Sequence, residues 1–138
     1  MSEVILFPDV EDAARLYLAA QFGARAGFTS VAATTGSKPA TFPAEFVHVT
    51  RTGGPGDLVI DRPQITVEAY AKRGSRAVSI ANLARGLLNA AAREGQMGAV
   101  TVYGLTEFSG PYLDPDPDAP SYTRYSATYQ LAVRGNAV

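Results

Sequence analysis

The run QITVEAYA at 64–71 limits what this chain can fold into more than any other segment. Ile65, Val67, Ala69 and Ala71 fall on one side of an extended backbone, and Gln64, Thr66, Glu68 and Tyr70 on the other. Such alternation belongs to a strand in a sheet with one packed face and one open face, the arrangement antiparallel sheets tolerate. The closing run YTRYSATYQLAVR, 122–134, repeats the pattern, with Tyr125, Ala127, Tyr129, Leu131 and Val133 on one face. EFVHVTRT, from Glu45, sets Val47 and Val49 against Phe46, His48 and Thr50.

A half-apolar sheet needs a cover, and two segments have helical spacing. The first is expected to start at Asp9, whose carboxylate caps the first turn, with Glu11 and Asp12 near the positive end of the helix dipole. Val10, Ala13, Ala14, Tyr17, Leu18 and Gln21 form its stripe, and Gly23 and Gly27 bracket its end. The second is expected to be capped by Ser75. Its stripe is Val78, Ala81, Ala84, Leu88 and Ala91, widened by Ile80, Leu83 and Leu87, with Arg76, Arg85, Asn89 and Arg93 largely off it and Gly95 at the end.

FTSVAATT (28–35) reads as a further strand and GSKPATFP after it as loop; AVTVYGLTEF reads as a strand bending at Gly104. The proline-studded segment at about 109–121 reads as an acidic loop, and about 52–63 as a long hairpin loop. The order α-β-β-β-α-β-β gives an α+β two-layer sandwich, a mostly antiparallel sheet of about four to five strands covered by two helices. At 138 residues the chain is expected to be one domain, 1–138.

With 12 basic and 13 acidic residues and no basic run, strong general nucleic-acid binding is not expected, nor is attachment to an anionic membrane. The absence of cysteine excludes disulfides, thiolate metal sites and a cysteine nucleophile. The acidic N-terminal segment does not read as a signal peptide, and no run approaches the length of a membrane helix.

GGPG at 53–56 looks at first like a phosphate cradle, but Asp57 and the strand-like LVI follow it, where a phosphate loop needs Lys-Ser/Thr and a helix. His48, the only histidine, suggests a general base oriented by Asp57 or Asp61; it sits mid-strand, where a half-buried sheet residue is the simpler account. Ser30, Ser79 and Ser109 lack a nucleophile-elbow context. Asp114, Asp116 and Asp118 mimic the first ligands of a calcium loop, yet Ala119 and Tyr125 stand where its glycine and glutamate belong. Tyr122, Tyr125 and Tyr129 suit core or interface packing better than base stacking without basic neighbours. No catalytic, cofactor or metal residue is assigned.

Three passages together carry a resemblance. LFPDVEDAARLYL, FVHVTRTGGPGDLVIDRPQITVEAYA and PYLDPDPDAPSYTRYSATYQLAVRG resemble, in order and spacing, tail terminator (tail completion) proteins of long-tailed phages and prophages of actinobacteria. The resemblance implies a non-enzymatic virion subunit, assembled in the host cytoplasm. It forms a ring, usually a hexamer, at the head-proximal end of the tail tube, stops tube growth and offers a surface for head attachment. Its partners are then its own copies, the tail tube protein and a head–tail connector, with DNA passing through the lumen without specific binding, and no membrane. Another connector subunit (stopper or neck protein) is the alternative, and a small enzyme or ligand-binding domain using His48 a more distant one. In that setting the glycine loop is expected to be loose in the free subunit. Leu58, Val59 and Ile60 would provide apolar contact to a neighbouring subunit or the tube, and Arg51, Asp57, Asp61 and Arg62 polar contact.

Overall fold

The structure, a computed structural model, describes residues 3–138. Met1 and Ser2, with which the expected domain opens, lie outside the described residues. In chain order the elements are β1 (Ile5–Leu6), α1 (Val10–Gly23), β2 (Ala32–Thr35), β3 (Glu45–Gly53), β4 (Ile60–Asp61), β5 (Gln64–Ala71), α2 (Gly74–Glu94), β6 (Gln96–Met97), β7 (Val100–Leu113), β8 (Thr123–Arg134) and β9 (Asn136–Ala137). The main sheet runs β2-β3-β5-β8-β7-β6, with β4 also on β8, and β1 pairs with β9 apart from it. The fold is α+β. The sheet has seven strands rather than four to five, because the two-residue pieces β4 and β6 carry no periodic signal of their own.

Asp9 caps α1 as expected, its carboxylate accepting from the Asp12 N–H at 3.2 Å. Val10, Ala14, Leu18 and Phe22 are its buried residues. Helix α2 has no side-chain cap: Arg73 is the extended residue before it, and Ser75 lies inside the first turn. Gly95 ends it in the left-handed conformation at φ 80°, donating to the Ala91 carbonyl. Its buried stripe is centred on Ala77, Ile80, Ala81, Ala84, Leu87, Leu88 and Ala91, with Val78 and Leu83 at the margin. Helix α1 packs over β2 and β3, and α2 over β5, β8 and β7. Both lie on the face that carries Val47, Val49, Ile65, Val67, Ala69, Ala127, Tyr129, Leu131 and Val133.

The opposite face is not simply open. Phe46 and Tyr70, expected to face solvent, are fully buried and stack at 4.5 Å. Phe42 and Tyr122 meet them edge-on, and Ala119 completes this second, smaller core. Its cover comes from two loops remote in sequence, 36–44 and 114–122, which a local period cannot reveal.

Two boundaries differ from expectation. Residues 28–31 form turns rather than strand, bridged by Val31 N–H donating to the Phe28 carbonyl, and β2 pairs in parallel with β3. Strand β7 continues to Leu113, so the acidic loop starts at Asp114 rather than near 109. Register shifts at 102/104, 107/109 and 109/112 absorb the glycines and Pro111 into a bulged strand.

Candidate interaction surface

The glycine segment turns a corner out of β3. Gly53 and Gly54 have φ of 112° and 103°, and a Cβ on Gly54 would overlap the Arg62 carbonyl oxygen, so the chain closes on itself there. Strand pairing reaches Gly53 and resumes at Ile60, leaving 54–59 as the connection. That connection, expected to be loose in the free subunit, is instead stitched to its surroundings by backbone hydrogen bonds within the single chain. Asp57 N–H donates to the Ile60 carbonyl (2.7 Å), Arg62 N–H to the Pro55 carbonyl (2.9 Å) and Gly135 N–H to the Val59 carbonyl (2.7 Å).

The seven residues expected at an interface separate into three groups. Arg51 and Asp61 bind each other through two bonds of 2.7 and 3.0 Å, and Asp61 is 4% exposed, so this pair holds the corner together from inside. The Arg51 N–H also donates to Glu11 Oε2 at 2.7 Å, and Thr35 Oγ1 to Glu11 Oε1 at 3.1 Å. Glu11 therefore ties α1 to the ends of β2 and β3. Asp57 and Arg62 form a surface pair at 2.6 Å, and such pairs contribute little. Ile60 is half-buried in β4, while Leu58 is 88% and Val59 44% exposed.

Leu58 and Val59 are joined by residues that sequence reasoning missed. Gly135, bonded to Val59, is also where β1 packs: a Cβ there would meet Ile5 Cγ2 at 2.5 Å and the Phe7 ring just after the strand at 2.8 Å. With Ile5 and Phe7 turned inward, Leu6 of β1 and the flanking residues Val4 and Val138 point outward, each more than 60% exposed. Glu3, Ile5, Asp57, Leu58 and Val59 line one concavity between ribbon and loop. The loop tip is thus an exposed apolar ridge, Leu58 and Val59, and the ribbon beside it exposes Val4, Leu6 and Val138, with Val4 and Leu6 on the face opposite Ile5. A two-residue pairing of distant termini leaves no periodic signal, so only the LVI run was visible beforehand.

The other motifs are absorbed by structure. His48 is 2% exposed, with Nδ1 2.7 Å from Thr34 Oγ1 and Nε2 3.0 Å from the Gly36 carbonyl. Burial lowers its pKa below 6.5. Asp57 and Asp61 are engaged with Arg62 and Arg51 and do not orient it. Of the three alternating aspartates, Asp114 accepts from Ser126 Oγ at 2.7 Å and pairs with Arg124 at 3.2 Å. Asp116 accepts from Tyr70 Oη at 2.8 Å, from Lys38 Nζ at 3.3 Å and from the Asp118 N–H at 3.0 Å. Burial pushes the Asp116 carboxyl up, but those bonds from Tyr70, Asp118 and Lys38 outweigh it and hold the pKa below 3.8. These carboxylates face cations and hydroxyls of their own chain and latch the loop to the sheet. Tyr122 donates to the Pro43 carbonyl at 2.8 Å within the second core. Tyr125 packs against the main core, and Tyr129 is fully buried. All three serve packing, Tyr122 and Tyr125 being partly buried against the two cores.

No protein-family model matches the chain, and no curated protein does. Among solved structures, it is similar to a chain of the "Virion of native gene transfer agent (GTA) particle", with a TM-score of 0.54 and 18% identity. The match covers 94% of this chain and 100% of the other. At that identity the likeness establishes a shared fold.

Proposed function

We propose that the protein is a structural subunit of a phage-type virion that forms a ring at the head-proximal end of the tail tube. The ring stops tube polymerisation and provides the surface for head attachment. The observation that carries this is the fold shared, over nearly the whole of both chains, with a component of a virion particle. The sequence resemblance to tail terminators narrows it to the ring, and the apolar ridge supports it chemically. Leu58 and Val59 on the loop, and Val4, Leu6 and Val138 on the ribbon, are exposed apolar side chains that a protein contact would cover.

In this role the chain works without catalysis. Its partners are its own copies, the tail tube protein and a connector, and the ridge is the contact to a neighbouring virion chain. Its formal net charge of -1 suits a lumen that DNA must traverse without being held. The test is to polymerise the tail tube protein in the presence of this chain and image the tubes by negative stain. Rings on tube ends and arrested growth are expected. Rings that bind a connector but leave tube growth unchanged would assign the chain to the stopper or neck instead.

A further inference from the structure

Among the described residues, two edges of the main sheet carry no further strand, at its opposite ends. One is β2, four residues long; the other is β7 beyond the two residues that pair with β6. We propose that these edges pair between copies, β2 of one subunit adding antiparallel to the 104–107 stretch of β7 in the next. The proposal deepens the ring assignment above and rests on it.

Direction comes first. Strands β2 and β3 are parallel, and β3–β5, β5–β8 and β8–β7 are antiparallel, so β2 and β7 of one copy run in opposite senses. Cyclic symmetry with its axis along the strands keeps every subunit the same way up. A neighbour's β2 then meets β7 antiparallel, and each copy uses two different edges, which is the head-to-tail relation a ring needs.

Length and charge agree. Between its bulges, β7 keeps regular register only over 104–107, with Gly104 opposite Ala132, Leu105 opposite Leu131, Thr106 opposite Gln130 and Glu107 opposite Tyr129. That stretch matches the four residues of β2, about 13 Å of strand. Beyond it, the bulges and Pro111 blunt the edge against longer pairing. Strand β7 carries no Lys or Arg, the usual edge guards, and its one charged side chain, Glu107, is held by Arg85 on α2 at 2.6 and 2.7 Å. Strand β2 has no charge. Tyr103 and Phe108, flanking the regular stretch, are 55% and 54% exposed and await cover.

The experiment uses the absence of native cysteine. Ala32 and Thr106 both lie on the face away from the helices, paired to Phe46 and Gln130. The proposed register sets Ala32 opposite Thr106, Ala33 opposite Leu105 and Thr34 opposite Gly104, since shifting it by one residue would place Ala32 against Glu107 on the other face. Ala32→Cys and Thr106→Cys chains are mixed, assembled on tail tubes and oxidised. Covalent dimers are expected from the mixture and from neither variant alone. Dimers from Thr106→Cys alone would mean a two-fold β7–β7 contact and overturn the proposal. Hydrogen exchange on the unmodified chain covers the case in which a variant fails to fold. The outward-pointing amides within 32–35 and 104–107, which the chain itself does not bond, should gain protection when rings form. Rings without that protection overturn the edge pairing and leave the ring standing, whereas no rings on tubes overturns both.

Discussion

The two loops that dominate the sequence, 54–59 and 114–122, turn their side chains in opposite directions. The acidic loop faces its own sheet: Asp116 is held by Tyr70 and Lys38, Ala119 is buried, and Tyr122 closes the aromatic cluster. The glycine loop is tied down through its backbone and through Arg51–Asp61, while Leu58 and Val59 stay in solvent. One loop is structure. The other is a fixed platform that holds apolar residues outward, and fixing them beforehand lowers the ordering cost of an association.

Damage to the two loops should therefore separate stability from assembly. The largest effect on folding is expected for Asp116→Ala, which removes three hydrogen bonds and leaves Arg124 and Lys38 without it; chemical denaturation should show a loss of about 3 kcal/mol. Arg51→Ala should cost about 2 kcal/mol, less than a fully buried pair because a third of the arginine side chain is in solvent.

A pH titration sharpens the comparison. His48 is neutral in the fold and its pKa is lowered, so its contribution is complete above about pH 6.5 and is lost as pH falls from there through the folded value. Asp116, also lowered, adds a second loss below pH 3.8. His48→Gln should flatten the first step and Asp116→Asn the second, read as the pH dependence of Tm.

Smaller still, Tyr129→Phe should be neutral or slightly stabilising, since its buried hydroxyl has no hydrogen-bond partner among the described residues. Leu58→Asp should change stability by less than about 0.5 kcal/mol, as exposed positions do, yet abolish tube capping.

What could be read beforehand follows from how local each signal is. Helix α1 with its Asp9 cap, the end of α2 at Gly95, and the inward faces of β5 and β8 are set by neighbours within a turn or two, and they stand in the chain as written. Phe46 and Tyr70 were misplaced because their cover arrives from Phe42, Ala119 and Tyr122, distant in sequence. The 109–113 segment looked like loop because Gly110 and Pro111 are turn formers, and only pairing with β8 keeps it extended. Of the ridge, the LVI run was legible as apolar residues after glycines. The exposed Val4, Leu6 and Val138 of the neighbouring ribbon were not, since only the β1–β9 pairing and the Gly135–Val59 bond bring that ribbon beside the loop.

The central claim, that this chain caps a tail tube through a ridge its fold leaves exposed, is tested most directly by tube length. Tail tube protein would be polymerised with the unmodified chain and with Leu58→Asp, and lengths measured by negative stain. The account predicts short, ring-capped tubes with the first and long, uncapped tubes with the second, from chains of equal Tm. Equal capping by both would contradict it.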